Sequence, residues 1–233
     1  MEEKMNFNNI ETVLNYKFNN PAILKNALTH SSFVNEKSKM LNNERLEFLG
    51  DAVLELVVSS YLYKNHAYSS EGELTKLRAK IVCTESLAMV SNVLNLGSYI
   101  LLGKGEENTG GRNRKSILAN SFEAIIGAIY IDSSIEQAEK FILSKMDQNM
   151  KDAIKGRLIF DYKTKIQELI QQNSSNIIEY TVESEQGPEH DKLFNINLHL
   201  NGEIIGTGCG SSKKEAEQRA AYNGLIFLGE ING

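Results

Sequence analysis

The chain has few of the features that mark secreted, zinc-binding or membrane-spanning proteins. Its 233 residues include only two cysteines, Cys83 and Cys209, far apart and without C-x-x-C spacing. Such a pair indicates neither a disulfide framework nor a zinc site, and it favours a reducing compartment. No apolar run approaches the roughly eighteen residues that a membrane span needs. The N-terminal MEEKMNFNNIETVL has no basic region followed by an apolar stretch. The composition therefore predicts a soluble protein of the cytoplasm.

The chain also lacks a large excess of either charge. Its formal net charge is −5, which by itself argues neither for nor against a nucleic-acid partner. The length suits one large domain or two small ones and is ample for a hydrophobic core. Evidence on function must therefore come from local patterns.

One segment, Asn43 to Leu56 (NERLEFLGDAVLEL), carries a narrow acidic stripe. At about 100° per residue, four acidic side chains fall within an arc of roughly 80°, and apolar residues occupy most of the remaining circumference. A helix that is apolar on most sides is normally buried. Packed like charges raise one another's pKa unless a cation neutralises them, which points to a metal. The alternative is a solvated face on an ordinary amphipathic helix. The four acidic residues are Glu44, Glu47, Asp51 and Glu55.

Residues 8–150 show helical periodicity almost throughout, which predicts an all-α domain. Asn20-Pro21 supplies the capping side chain and the first-turn proline of a helix start. A glycine-rich loop at 102–116 interrupts the helical pattern. Besides the acidic helix, helices are predicted at 22–29, after Ser70, and at 84–96, 117–130 and 134–150.

The period changes after about residue 160, which predicts a small α+β domain. A short helix at 161–172 precedes two segments, 178–182 and 194–200, whose apolar residues alternate as in strands. Asn201-Gly202, the strongest short hairpin signal, follows the second of them. A third strand at 203–209 leads to a capping box at Ser212, which opens a last helix that Gly229 would end. The predicted order is α-β-β-β-α with a three-stranded antiparallel sheet.

Two of the predicted helices present oxygen ligands at one-face spacing. Glu47 and Asp51 are four residues apart, and Asn120 and Glu123 are three apart. An all-oxygen set suits Mg²⁺ or Mn²⁺ rather than zinc. A hard divalent cation can orient water, polarise a phosphoryl oxygen and stabilise the leaving oxygen. A di-iron bundle is an alternative, but it requires Glu-x-x-His pairs, and no histidine here follows a glutamate by three residues.

The glycine-rich loop ends in three basic residues, Arg112, Arg114 and Lys115. Neither Gly110 nor Gly111 is followed by Lys-Ser or Lys-Thr, so the loop does not follow the Walker pattern. A basic, flexible loop that leads into a metal-bearing helix suggests contact with backbone phosphate. A solvated loop is the alternative.

Five segments, in order along the chain, resemble the ribonuclease III family. They are ALTHSSF (27–33), NERLEFLGDAVLEL (43–56), EGELTKLRA (71–79), LGKGEENTGG (102–111) and ILANSFEAIIGAIYID (117–132). The tail, with GPEHDKLF (187–194) and GSSKKEAEQ (210–218), resembles a double-stranded RNA-binding domain. The resemblance implies three parts: an all-helical catalytic and dimerisation domain at 1–150, a linker at 151–159 and the RNA-binding domain at 160–233.

The resemblance implies a homodimeric, Mg²⁺-dependent endoribonuclease that cuts double-stranded RNA, with Mn²⁺ able to substitute. Each catalytic domain would hold one site. Attack by metal-activated water would leave 5′-phosphate and 3′-hydroxyl ends with short 3′ overhangs. The implied role is the processing of ribosomal and messenger RNA.

The motifs assign roles residue by residue. Asp51 and Glu123 match the pair usually called catalytic, and with Glu47 and Asn120 they form the implied metal site. Asn120 departs from the family pattern, which has Asp at this position. An amide oxygen can ligate Mg²⁺ but supplies no charge. An alternative function is therefore double-stranded RNA binding by a protein whose nuclease centre is weakened by Asn120.

Two further acidic residues, Glu44 and Glu71, match positions near the scissile phosphate and are implied to support catalysis. In the tail, six basic residues face eleven acidic ones from residue 160 onward. Two of the six, Lys213 and Lys214, lie at a predicted helix N-terminus, where the dipole and free amides favour phosphate. The resemblance adds Gln167, Glu168 and His190 as minor-groove contacts. Glu217 stands where many such domains carry a third basic residue, so the tail alone is expected to bind RNA weakly.

Overall fold

The structure is a computed structural model. It describes residues 7–36, 41–155, 161–171, 176–188 and 192–231. The chain forms two compact units, one within residues 1–158 and the other within 159–233. The described part of the first unit is helical, and that of the second combines two helices with one antiparallel sheet. The predicted fold class is confirmed.

The first unit is built from α-helices joined by short connections. None of the helices in the described ranges is long and apolar enough to cross a membrane. Their bounds are α1 (Phe7–Leu14), α2 (Pro21–Ala27), α3 (Ser31–Glu36), α4 (Glu44–Asn65), α5 (Glu71–Ile81), α6 (Thr84–Val93), α7 (Lys104–Asn108), α8 (Lys115–Asp132) and α9 (Ile135–Ile154).

Helix α8 is the centre of this unit. Its side chains from Ile117 to Ile129 are buried except at Asn120 and Glu123, which are only partly covered. Helix α4 packs along it through buried residues such as Leu54 and Val58. Asn120 and Glu123 are therefore the two partly exposed polar side chains of a largely apolar helix, and both act on residues of α4 or feel their charge.

The two helices approach each other closely at a pair of glycines. A β-carbon at Gly50 of α4 would overlap the carbonyl oxygen of Glu123 and lie 2.9 Å from the backbone nitrogen of Gly127. A β-carbon at Gly127 would overlap the carbonyl oxygen of Leu46. Only hydrogen fits at both positions, so these glycines set the separation of α4 and α8.

The apolar surround of α4 is buried only where the helix faces its own unit. Phe48, Leu56 and Tyr63 are 80%, 58% and 77% exposed. The expectation that the acidic helix would be buried on nearly all its apolar sides is therefore wrong for the single chain. Successive spacings of eight and seven residues put these three side chains on one face of the helix.

Three predicted boundaries differ from the structure. Helix α6 ends at Val93, before the predicted 96, because Asn95 adopts a left-handed backbone with φ of 51°. The predicted loop at 102–116 contains α7, a 3-10 turn at Gly111–Asn113 and the start of α8. Helix α9 continues to Ile154, so the first four residues of the predicted linker are helical.

In the second unit, β2 is the central strand of a sheet ordered β1-β2-β3. Asn201 and Gly202 both have positive φ, 52° and 87°, at the turn between β2 and β3, as the Asn-Gly signal predicts. The elements are α10 (Tyr162–Gln171), β1 (Ile178–Gln186), β2 (Leu193–Leu200), β3 (Glu203–Gly210) and α11 (Lys213–Phe227).

The core of this unit lies between the sheet and its two helices. Ile166 and Ile170 of α10 are buried together with Leu198 of β2. The hydroxyl of Ser212 caps α11 by accepting a hydrogen bond from the Glu215 amide at 3.2 Å. This cap fixes the first turn of α11, which carries the two adjacent lysines.

Candidate active site and nucleic-acid interface

Four oxygen-bearing side chains come together where α4 crosses α8. Glu47 and Asp51 lie about one turn apart on α4, and Asn120 and Glu123 lie about one turn apart on α8. The negative charges of Asp51 and Glu47 act on Glu123, and the Asn120 side chain forms a hydrogen bond with Glu47. The crossing thus brings the two predicted ligand pairs together.

The carboxyl of Glu123 has a pKa far above its ordinary value. Burial, followed by the negative charges of Asp51 and Glu47, raises the pKa of its carboxyl to about 8. All three causes disfavour the ionised form. Without a cation the carboxyl therefore keeps its proton at neutral pH. A positive charge at the crossing would release that proton and reverse the effect.

Glu47 lies in a similar environment with one compensating contact. Burial and the charge of Glu44 raise the pKa of its carboxyl, the Asn120 hydrogen bond lowers it, and Asp51 raises it. The Asn120 nitrogen is the only donor that its amide offers to a carboxylate. When that nitrogen donates to Glu47, the amide oxygen remains available as a ligand.

The donor set suits a hard divalent cation. Carboxylate and amide oxygens are the ligands that Mg²⁺ and Mn²⁺ accept, and Mg²⁺ ordinarily keeps several waters while taking only one or two carboxylates. Within the described ranges, no three histidine, cysteine or acidic side chains form a metal-holding group by themselves. The fit rests on the oxygen chemistry of the four side chains and on the burial and unneutralised charge that together raise the pKa of Glu123.

The two supporting acids differ in position. Glu44 begins α4, and its charge reaches Glu47, so it belongs to the same electrostatic group. Glu71 begins α5, and its carboxylate accepts a hydrogen bond from the Thr75 hydroxyl at 3.1 Å. Neither Glu47 nor Glu123 owes its raised pKa to Glu71.

The basic loop before α8 is held by its own ion pairs. Arg112 donates to the carbonyl oxygens of Gly97 and Ile100 at 2.9 and 3.0 Å and pairs with Glu107 at 2.7 Å. Arg114 pairs with Glu106 at 2.6 Å. The two arginines predicted to contact phosphate thus already have acceptors within the loop, whereas Lys115 is exposed at the N-terminus of α8.

The predicted RNA-binding residues of the second unit lie on two helices. Gln167 and Glu168 are exposed on α10, and Lys213 and Lys214 are exposed in the first turn of α11. Lys213 pairs with Glu185 of β1 at 3.0 Å. A separate pair joins Glu217, at the position expected to be basic, to Lys163 at 2.7 Å. His190 lies outside the described residues.

Sequence reasoning missed the residues that organise these side chains. Gly50 and Gly127 carry no functional group, although Gly50 lies within the acidic signature itself. Glu107 and Glu106 form ion pairs with Arg112 and Arg114 of the loop. Glu185 forms an ion pair with Lys213 of α11. The available signal was the presence of acidic residues in the same segments as the basic ones.

Comparison with known proteins covers both units. Residues 20–150 match the family model described as Ribonuclease-III-like, and residues 162–228 match the double-stranded RNA binding motif. A protein named Ribonuclease 3 from Desulforamulus reducens is 50% identical over 95% of this chain and 91% of its own length. A Ribonuclease 3 from Clostridium perfringens is 48% identical over 97% of this chain and 96% of its own.

The first unit also has close structural neighbours. A crystal structure of the ribonuclease III nuclease domain from Campylobacter jejuni is 47% identical, with a TM-score of 0.58, and the match covers 64% of this chain and 97% of that one. A second structure of that domain, described for structural flexibility in a region involved in dimer formation, is 48% identical with a TM-score of 0.59 over 62% and 98% of the two chains.

Proposed function

The chain belongs to the ribonuclease III family, and on that premise we propose that it is an endoribonuclease that cuts double-stranded RNA with the help of a divalent cation. The observation that carries the proposal is the meeting of Glu47, Asp51, Asn120 and Glu123 at the α4–α8 crossing. Their oxygens suit a cation that binds phosphate, and their crowding leaves negative charge that a cation would neutralise.

Family membership implies a divalent cation, and we assign Mg²⁺ to the site, with Mn²⁺ as a substitute. Asp51 and Glu123 would hold the ion as carboxylates, with Glu47 and the Asn120 oxygen beside them. The bound cation supplies Lewis acidity at the phosphodiester and lowers the pKa of bound water. Glu123 must then be ionised, so loading the site and losing the Glu123 proton are coupled events. Products with 5′-phosphates, 3′-hydroxyls and short 3′ overhangs are expected.

The exposed apolar face of α4 supports a homodimer of the catalytic unit. Phe48, Leu56 and Tyr63 follow one another along this face. A second copy related by a two-fold axis would cover it with the same surface. Large exposed apolar patches of this kind mark interfaces in soluble proteins. The pairing would place one acidic crossing in each copy, so that a duplex could be cut on both strands.

The second unit supports the choice of substrate. Exposed polar residues on α10 and the two lysines of α11 offer contacts to an A-form minor groove and to backbone phosphate. Such contacts read duplex shape rather than sequence. Family membership points to the processing of ribosomal and messenger RNA as the role of such an activity. The assignment to the cytoplasm remains a prediction from the sequence.

One observation favours a second function. Asn120 supplies no charge to the site, and its amide forms a hydrogen bond with Glu47. A nuclease centre weakened in this way would leave a protein that binds double-stranded RNA without cutting it. The two functions differ in whether duplex RNA is cleaved or only bound.

A cleavage assay separates these functions. Purified chain is incubated with end-labelled duplex RNA and Mg²⁺, and the termini of the products are mapped. The nuclease proposal expects cuts on both strands with 5′-phosphate ends, dependent on added cation. Stable binding without cleavage in either Mg²⁺ or Mn²⁺ would contradict it and support the binding protein.

A further inference from the structure

Glu185 is held between two lysines in the second unit. Its Oε1 atom lies 3.0 Å from Nζ of Lys213, the first residue of α11. Its Oε2 atom lies 3.3 Å from Nζ of Lys192, which precedes β2. Each oxygen of one carboxylate is therefore used by a different lysine, and the carboxylate joins the end of β1 to two neighbouring elements.

Phe194 fixes one of these lysines further. The Lys213 ammonium lies 5.6 Å from the centre of the Phe194 ring, and Phe194 faces Glu185 directly across the β1–β2 strand pair. A cation over an aromatic face is attracted by the ring. Lys213 is thus held by two side chains, the Glu185 carboxylate and the Phe194 ring, whose residues face each other on neighbouring strands. The hydrogen bonds from Lys213 and Lys192 lower the pKa of Glu185, so the carboxylate stays charged.

These contacts affect how the second unit would bind RNA phosphate. Lys213 is one of the two lysines at the α11 N-terminus, where phosphate is favoured by the helix dipole and free amides. Its ammonium group already has a negatively charged partner with the same hydrogen-bonding chemistry as a phosphate oxygen. The side chains of Lys213 and Glu185 are 57% and 36% exposed, so solvent screens the pair and an incoming phosphate can replace it.

We propose that Glu185 is an internal competitor for RNA phosphate: its carboxylate occupies the ammonium groups of Lys213 and Lys192, and a duplex must displace it to engage them. The inference rests on the proposed binding of double-stranded RNA. Glu185 opposes binding in two ways, by occupying the lysines and by repelling the phosphate that replaces it. It therefore sets the affinity of a unit that has fewer basic than acidic residues.

The test compares two charge-neutralising variants of the full chain. Glu185→Gln removes the carboxylate charge, and Glu183→Gln removes the same charge two residues away, where no ion pair joins Glu183 to a described residue. Binding to a duplex of about 20 base pairs is measured in EDTA across a salt series, so that no cleavage occurs. Relative to wild type, Glu185→Gln should bind about threefold to tenfold more tightly at low salt, whereas Glu183→Gln should change affinity by less than about twofold. The plot of log affinity against log salt should steepen by about one to two units for Glu185→Gln alone.

A double-mutant cycle locates the effect. Lys213→Ala should weaken binding by about threefold in the wild-type background and by about tenfold in the Glu185→Gln background, because only there is the lysine free for phosphate. Equal losses in both backgrounds would overturn the inference. So would a Glu185→Gln affinity equal to that of Glu183→Gln, or one below wild type, since Glu185 would then merely position Lys213. If neither wild type nor Glu185→Gln binds duplex at low salt, the proposed function fails together with the inference.

Discussion

The α-carbon of Gly50 lies so close to the backbone carbonyl of Glu123 that no β-carbon fits between them. This contact joins the middle of the acidic segment of α4 to the residue of α8 whose carboxyl has the most perturbed pKa. Because the backbones of α4 and α8 touch here, the carboxylates of Glu47 and Asp51 on α4 are held near that of Glu123 on α8. The glycine therefore acts on the chemistry of the site through the separation of two helices.

Replacing Gly50 by Ala should separate these helices. Overpacking a close backbone contact destabilises a protein by about 1–3 kcal/mol and sometimes more, so we expect a loss of at least about 2 kcal/mol in unfolding free energy. The rate of cleavage should fall by more than the loss of folded protein accounts for, because Glu47 and Asp51 move away from Glu123. Urea unfolding and single-turnover cleavage at a temperature where the variant stays folded measure the two effects.

Gly72 supplies the control for this substitution. It lies in α5 with open space around the position of a β-carbon, and alanine is the better helix former there by about 0.5–1 kcal/mol. Gly72→Ala should leave stability unchanged or raise it. Equal stability of the Gly50→Ala and Gly72→Ala variants would refute the close packing of α4 on α8.

The raised pKa of Glu123 predicts a pH-dependent stability for the metal-free protein. Burial and the charges of Asp51 and Glu47 raise this pKa to about 8, against about 4.3 for an unfolded glutamate. The native chain therefore binds the proton more tightly than the unfolded chain. The stability that this proton contributes is complete below about pH 4.3 and is lost as the pH rises towards about 8.

Glu123→Gln isolates that contribution. In EDTA, the unfolding free energy of wild type should fall relative to the variant between about pH 5 and 8, by on the order of 2 kcal/mol after allowance for partial exposure. Urea titrations at several pH values give the difference. Parallel stability curves for the two proteins would show that Glu123 titrates normally.

The same substitution tests the catalytic role of Glu123. Glutamine preserves the shape of the side chain but removes the charge of a proposed ligand. Cleavage in Mg²⁺ should drop by more than about a hundredfold, because even the partners of metal ligands contribute about tenfold to a hundredfold. Duplex binding in EDTA should stay within about twofold of wild type. A parallel loss of binding and cleavage would make Glu123 a structural residue.

Leu56→Arg tests the proposed dimer. Leu56 is 58% exposed in the single chain, so the monomer should tolerate arginine. Across a two-fold axis the same substitution brings two arginine cations, one from each copy, into an apolar interface. Sedimentation or light scattering should show dimers for wild type and monomers for the variant at micromolar concentration. Phe227→Arg, a matched change at a 69% exposed residue of the other unit, should remain dimeric.

The sequence predicted the elements because their local signals agree with the tertiary structure. Asn20 accepts the hydrogen bond of its predicted cap from the Ala22 amide, and Asn201-Gly202 forms its turn. The grouping of ligands on two helices followed from helical periodicity. That those helices would meet followed from the resemblance alone, since periodicity gives the faces of a helix but not its partner.

The structural features that the sequence analysis did not predict depend on contacts that residue types and periodicity do not specify. The backbone approach at Gly50 and the pair between Lys213 and Glu185 join segments that are distant in the sequence. The left-handed Asn95 and the carboxylates that pair with Arg112 and Arg114 are local, but residue types and periodicity do not specify their geometry. Counting basic residues treats each as a potential phosphate contact. In the folded chain, several of them are already paired with acidic residues.

Asn120 faces Glu47 as a hydrogen-bonding neighbour rather than as another acid. Its amide lowers the pKa of Glu47 and so relieves crowding in the metal-free site. An aspartate at position 120 would lose that donor and add a fourth carboxyl group to those of Glu47, Asp51 and Glu123. At an effective dielectric of about 20, one unit charge about 4 Å from another contributes ~4 kcal/mol, so the added charge attracts a divalent cation strongly while it repels the other carboxylates. Metal affinity and metal-free stability should therefore change in opposite directions.

Asn120→Asp is expected to need about tenfold less Mg²⁺ than wild type for half-maximal cleavage, because the gain in cation attraction exceeds the added crowding once the ion is bound. Its metal-free form should unfold at lower urea than wild type at neutral pH. Mn²⁺, which oxygen sites generally hold more tightly than Mg²⁺, should narrow the gap between the two proteins. Titrations of single-turnover cleavage with each ion measure this, with Asn120→Ala as the control that removes both the donor and the ligand oxygen and should need more cation than wild type. Identical metal requirements in all three proteins would remove position 120 from the site. If wild type stays inactive at every concentration of either ion while Asn120→Asp cuts, the natural chain binds double-stranded RNA without cleaving it, and Asn120 is the reason.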